Sequence, residues 1–202
     1  MVKPVRFSRV IPLAVILAVL LTVFVSLKDT GGISSRTRAV GDLDGDGMTE
    51  EYILADHRLT VREGDKYLWQ SPGDWRIDNF ALGDVDNDGT VNLVMTLWKT
   101  GSFGSVKPFW QTAEDTSYKN HLFVYRLKNK AMKQVWCSSD LDRPIVSFTI
   151  RDVDGDGQSL VVEEGKYRKI SGERYALDKK APVRTTVWRW DEWGFRLVKD
   201  SL

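Results

Sequence analysis

From residue 36 onward the apolar positions of the chain show no helical period. They fall into short runs rich in β-branched and aromatic residues, separated by Gly, Asn and Asp, which predicts strands joined by tight turns. Three acidic hexapeptides lie between such runs: Asp42-Leu43-Asp44-Gly45-Asp46-Gly47, Asp84-Val85-Asp86-Asn87-Asp88-Gly89 and Asp152-Val153-Asp154-Gly155-Asp156-Gly157. Aligned on the first aspartate, Val40, Leu82 and Ile150 stand two residues before it, and Leu43, Val85 and Val153 one residue after it. Tyr52, Val94 and Val162 stand ten residues after it. An apolar residue inside an acidic loop, three times in register, predicts a side chain turned back into a core.

The repeat continues downstream. Thr60-Val61-Arg62, Val124-Tyr125-Arg126 and Val187-Trp188-Arg189 each close a third β-like segment, and a fourth follows each of them. Every unit therefore reads as four short strands with the acidic loop joining the first to the second, the anatomy of a propeller blade. The units span 36–71, 77–138 and 145–200. The predicted fold is all-β, with three four-stranded propeller-type blades making an open or incomplete β-propeller, because closed propellers generally need about four to eight blades.

The interval from first aspartate to closing arginine is 20 residues in the first unit, 42 in the second and 37 in the third. Units two and three thus carry insertions, at 99–120 and 165–184, between their second and third strands, at the end away from the acidic loops. Trp69 and Trp136 recur at equivalent fourth-strand positions, and Trp188 and Trp190 alternate along one strand, so these read as packing. The insertion aromatics escape that logic. Phe109, Trp110, Tyr118 and Tyr167 are therefore candidate ligand contacts.

Residues 10–27 read VIPLAVILAVLLTVFVSL, eighteen positions without a charge, preceded by Lys3, Arg6 and Arg9. This length predicts a single transmembrane helix, with residues 1–9 as a basic cytoplasmic N-terminus, 28–35 as a linker and 36–202 as an extracytoplasmic domain. The alternative is a signal peptide, cleaved to release a secreted domain. Formal net charge is +1, from 29 basic and 28 acidic residues mixed along the chain, which gives no electrostatic footprint for nucleic acid. Cys137 is the only cysteine, excluding an intrachain disulfide framework and a thiolate zinc cage.

Carboxylates at alternate positions followed by glycine supply what a hard cation such as calcium requires: several oxygens converging while the backbone turns sharply. The third loop also satisfies an EF-hand spacing, with Glu163 at its twelfth position, but β-branched runs flank it where an EF-hand has helices. With its loops, strands and repeat taken together, the chain resembles the FG-GAP and VCBS class of calcium-loop β-propeller repeats, which includes integrin α-subunit blades. That resemblance implies a D-x-D-x-D-G-x-x-D site in which alternate acids, a backbone carbonyl and a ninth-position acid wrap one Ca2+. Carried over, the ligands are Asp42, Asp44, Asp46, the carbonyl of Met48 and Glu50 in the first loop. In the second they are Asp84, Asp86, Asp88, Thr90 and Asn92. In the third they are Asp152, Asp154, Asp156 and Gln158; Leu160 holds the ninth position there, so Glu163 would have to substitute.

The expected function is that of a membrane-tethered calcium-binding module for protein or glycan binding and scaffolding, with self-association to complete a propeller as a further possibility. The alternative is a hydrolase or lyase acting on cell-surface polysaccharide. Catalysis would require His121, Glu114, Asp115 or Tyr118 to converge in one cleft.

Overall fold

A computed structural model describes residues 27–29, 36–104, 106, 109 and 115–200. Among these there is no helix, and none long and apolar enough to cross a membrane. Residues 10–26 of the predicted span, together with Trp110 and Glu114, lie outside the described residues. Leu27, its last residue, begins a strand instead, so the linker's Lys28 and Asp29 are paired backbone.

The described residues form fifteen strands in three sheets, none of them closed on itself. The first is an antiparallel meander of β1 (Leu27–Asp29), β2 (Arg36–Gly41), β3 (Glu50–Ala55), β4 (Arg58–Glu63) and β5 (Lys66–Gln70). The second is built on β6 (Arg76–Gly83), β7 (Asn92–Thr100), β8 (Tyr118–Lys128) and β9 (Ala131–Cys137). The third contains β10 (Ile145–Asp152), β11 (Gln158–Glu164), β14 (Arg184–Asp191) and β15 (Gly194–Asp200). In each, an acidic loop joins the first two strands of the repeat.

The hairpin of β12 (Tyr167–Ser171) and β13 (Arg174–Leu177) leaves the third sheet and attaches to the second. It does so through one parallel pair, Arg174 with Tyr118, and a hydrogen bond from Tyr118 N to Glu173 O of 2.8 Å. Sheet one gains β1 and sheet two gains this hairpin, so only the third keeps four strands.

The middle sheet is buried on both sides, which explains why eight consecutive positions of β7, from Asn92 to Lys99, are buried. Side chains alternate across it. Leu93, Met95 and Leu97 of β7 and Phe123, Tyr125 and Leu127 of β8 pack with Tyr52, Leu59 and Val61 of sheet one. Val94, Leu122 and Val124 face the other way, onto Phe148, Leu160 and Val162 of sheet three. A one-residue slip of β7 would exchange the two cores, so register is pinned from both faces.

The outward faces of the flanking sheets are different in kind. On sheet one the register sets Arg38, Glu51, Thr60, Arg62 and Gln70 away from the core shared with sheet two, with Val40 and Ile53 the apolar exceptions and Arg38 Nε 2.5 Å from Glu51 Oε1. On sheet three the residues alternating with Phe148 and Val162 include Ser147, Thr149, Glu163, Thr185 and Lys199, with Val161 and Val187 the apolar exceptions.

This asymmetry corrects one expectation. Leu43 (5% exposed) and Val85 (0%) do turn back into a core, each against the following sheet, but Val153 is 39% exposed. Among the described residues no sheet lies beyond the third, and its loop residue packs on none. Leu43→Ala should cost about 2–4 kcal/mol through the cavity it leaves, whereas Val153→Ala should change stability by less than about 0.5 kcal/mol; urea unfolding measures both, and equal costs would contradict this packing.

Candidate metal centre

The first acidic loop folds on its own aspartates. Gly45 and Gly47 take φ of 75° and 86°, a region that glycine enters without steric cost. These turns aim the N–H of Gly45 at Asp42 Oδ1 (2.8 Å) and that of Gly47 at Asp42 Oδ2 (3.0 Å), while Met48 N donates to Asp46 Oδ1 at 2.8 Å. Glu50, the first residue of β3, is 0% exposed and accepts the N–H of Leu43 at Oε2, 2.8 Å away. That bond ties the ninth position to the turned-in apolar residue.

One oxygen from each of Asp42, Asp44, Asp46 and Glu50 lies within 4.8 Å of the others, and these four can hold a metal ion. Glu50 Oε1 and Asp44 Oδ1 are buried without any hydrogen-bond partner. Buried carboxylate oxygens are ordinarily satisfied, so this pair fits a cation set between them. Burial pushes Glu50 up to about 7; the Leu43 N–H opposes that rise, and the carboxylates of Asp44, Asp42 and Asp46 add to it.

The second loop repeats the geometry with less charge. Asp84 accepts from Asp88 N (3.1 Å) and Gly89 N (2.9 Å), and Asp88 Oδ1 accepts from Thr90 N (2.9 Å). Asn92 takes the place of Glu50: it is fully buried, accepts the N–H of Val85 at 3.1 Å, and leaves its Nδ2 unpartnered. Asp84, Asp86 and Asp88 converge as a second group able to hold a metal ion. Arg126, at the end of β8, reaches Asp86 Oδ2 at 2.8 Å and Asp88 Oδ2 at 2.9 Å. Burial and the neighbouring Asp88 raise Asp86 against the pull of Arg126. For Asp88, burial is outweighed by the Thr90 N–H and Arg126, which hold it below the ordinary value.

The third loop is not assembled in this way. Asp152 Oδ1 accepts from Gly155 N at 2.7 Å, but Asp154 is drawn to Arg189 of β14, with both oxygens 2.5 and 2.6 Å from its Nη2. That guanidinium lowers Asp154. Asp156 lies 3.9 Å from the same arginine. Leu160, in the ninth position, is buried in the core and offers no acceptor to Val153 N–H. The Gln158 carbonyl accepts a bond from Asn87 Nδ2 of the second loop (3.1 Å), and Gln158 N donates to Asn87 Oδ1 (2.6 Å). Glu163 pairs across the sheet with Ser147 and accepts its hydroxyl at 2.6 Å. It stands five residues up β11 from Gln158, about 16 Å away.

Reading the sequence missed the cations. Lys130 sits in the β8–β9 turn, where Asn129 and Lys130 have φ of 51° and 59°, the pattern of a type I′ hairpin. From there its N–H reaches Asp44 Oδ2 (2.9 Å) and its Nζ lies 3.1 Å from Asp46 and 2.8 Å from Glu63. Arg126 and Arg189 were visible as a repeat, and antiparallel topology alone puts the end of a third strand beside the turn joining strands one and two.

The remaining candidates separate. Phe109 is 91% exposed. Tyr167 is pinned: its hydroxyl donates to Leu141 O (3.0 Å) and accepts from Asn120 N (3.2 Å). Tyr118 lines a surface cleft of about 680 Å3, and a second cleft of about 470 Å3 lies between β9 and β15. His121 and Asp115 line neither. His121 is fully buried, with Nδ1 3.1 Å from Ser139 O and Nε2 3.5 Å from Asp140 Oδ1. Burial, reinforced by Lys99 and partly offset by Asp140, pushes it down to about 4. Burial alone would raise Asp115, but the Ser102 and Ser117 hydroxyls and the Ser117 N–H hold it down at about 2. These groups staple the base of the first insertion, with Gly101 N bonded to Ser117 O at 2.9 Å. Cys137 is buried, and burial pushes its thiol up to about 12.

Comparison with protein-family models, with curated proteins and with solved structures gave no match in any of the three.

The buried histidine sets an acid limit. The unfolded chain takes up a proton on His121 near the ordinary 6.5, the folded one only near 4, so this residue costs stability as pH drops from 6.5 toward 4, while Glu50, raised to about 7 from an ordinary 4.5, adds stability over nearly the same range. Thermal melts across that window should therefore show His121→Gln gaining stability on acidification relative to the native protein; an identical pH dependence in both would assign no part of it to His121.

Proposed function

We propose that this chain is an extracytoplasmic, membrane-tethered calcium-binding module of FG-GAP/VCBS-like repeats, three propeller-type blades that bind or scaffold a protein or glycan. Calcium is its structural cofactor. The observation that carries this reading is Glu50 Oε1, buried without a partner among three aspartates whose oxygens lie within 4.8 Å. An all-oxygen donor set on a flexible loop suits Ca2+ better than the softer transition metals. Tethering rests on the apolar run at 10–27 and its basic flank.

The ion pins the turn between the first two strands of a blade. Loop one is the strongest site, loop two a weaker one that shares its acids with Arg126, and loop three is held by Arg189. The polar outer faces of the flanking sheets favour a free-standing three-blade stack over a ring completed by other copies. A binding role is favoured over hydrolase or lyase chemistry because His121 has no exposed surface and shares no cleft with Tyr118.

Calorimetry of the full chain in nanodiscs should count two calcium sites, with Kd on the order of 0.1–1 mM as in extracellular modules. Saturation at 100 times Kd should stabilise the fold by about 2.7 kcal/mol per site. Asp42→Ala combined with Asp44→Ala should remove the tighter site and leave the other. Melting that is the same in excess chelator and in 10 mM calcium would refute the metal assignment.

A further inference from the structure

The β12–β13 hairpin, seated against the start of β8, closes one wall of the cleft of about 680 Å3, within the range of ligand sites. Five cations line it: Arg168 of β12, Arg174 of β13, Lys179 and Lys180 just beyond, and Arg76 of β6 facing them. Its two acids are already engaged. Asp78 accepts Trp98 Nε1 at 2.7 Å and pairs with Arg76 at 3.3 Å, and Asp178 Oδ1 accepts the backbone N–H of Lys180 at 3.0 Å. Arg168, Arg174, Lys179 and Lys180 have no carboxylate within ion-pair distance among the described residues. Like charges gathered in a concavity raise its potential and draw in a multiply charged anion.

The aromatic walls decide which anion. The Tyr118 ring is covered by Arg174 at 4.0 Å, and that of Tyr175 by Lys119 at 5.3 Å and Lys169 at 5.8 Å. Trp98 is 6% exposed. No bare ring remains on which a nucleobase could stack. The free edge of the hairpin is β12, whose Arg168 and Lys169 guard it against an added peptide strand. Cations spaced along an open cleft, free to meet acid groups, are what a charged sugar chain uses.

The geometry points to this cleft as a binding site for an anionic glycan, a segment of polysaccharide bearing carboxylate or sulfate groups. The inference rests on the binding-module reading and names its ligand class. The site is separate from the metal loops: Tyr118 and Arg126 stand at opposite ends of β8, eight residues or about 26 Å apart. Glycan is held by side-chain cations and needs no calcium bridge.

The test uses the full chain in zwitterionic nanodiscs, titrated with polygalacturonate oligomers and with dextran sulfate, which separate carboxylate from sulfate recognition. Neutral dextran, polyglutamate and single-stranded DNA are the comparisons. At least one anionic glycan should bind, weaken about tenfold or more between 50 and 300 mM NaCl, and bind equally well in excess chelator. Lys179→Glu with Lys180→Glu, both exposed, should reduce binding about tenfold or more with calcium-dependent melting unchanged, and Arg174→Ala should reduce it independently. Equal or tighter binding of polyglutamate or DNA, loss of glycan binding on chelation, or indifference to these substitutions would overturn the assignment. Glycan binding without any effect of calcium on melting would instead refute the metal reading alone.

Discussion

Carboxylates at alternate positions of a six-residue turn repel one another, and the fold persists only if positive charge is brought to each turn. The three loops meet that constraint differently. The first has four acids and a lysine lent by the neighbouring sheet, which leaves negative charge in excess around two unsatisfied oxygens. The second replaces one acid by an amide and adds its own arginine. In the third one arginine nitrogen contacts both oxygens of an aspartate and the ninth position is a core leucine. Along the chain, an internal cation progressively takes over the place that the first loop leaves open to an external one.

That gradient follows the packing order. Leu43 and Val85 rest against the sheet that follows their own, whereas Val153 is exposed, so the first two loops are partly enclosed and the third is open to water. Enclosure makes an uncompensated carboxylate costly, and exposure makes it cheap. Glu50, without exposed surface, is where the balance is most one-sided. The same order explains why the middle sheet is apolar on both faces and the outer ones on only one.

Much of this was legible in the sequence. β-branched and aromatic runs broken by glycine-rich turns announced an all-β chain, and the threefold register of Leu43, Val85 and Val153 marked the same place in each unit. The grouping of Asp42, Asp44, Asp46 and Glu50 needed only local spacing. What could not be read was long-range. Lys130 meets the first loop across 86 residues, and Asn87 meets Gln158 across 71, through turns whose docking depends on sheet-to-sheet contact. The second insertion was placed at the correct end, but nothing in its own residues told that its hairpin would join another sheet.

The paired bonds between Asn87 and Gln158 are a mechanical link between two turns that a purely repetitive design would leave independent. A side-chain amide from one loop mimics a backbone partner for the other, donating to its carbonyl and accepting from its N–H. Whatever quiets the second turn therefore stiffens the third without touching it, and rigidity spreads along the rim by amide contact where charge alone would stop.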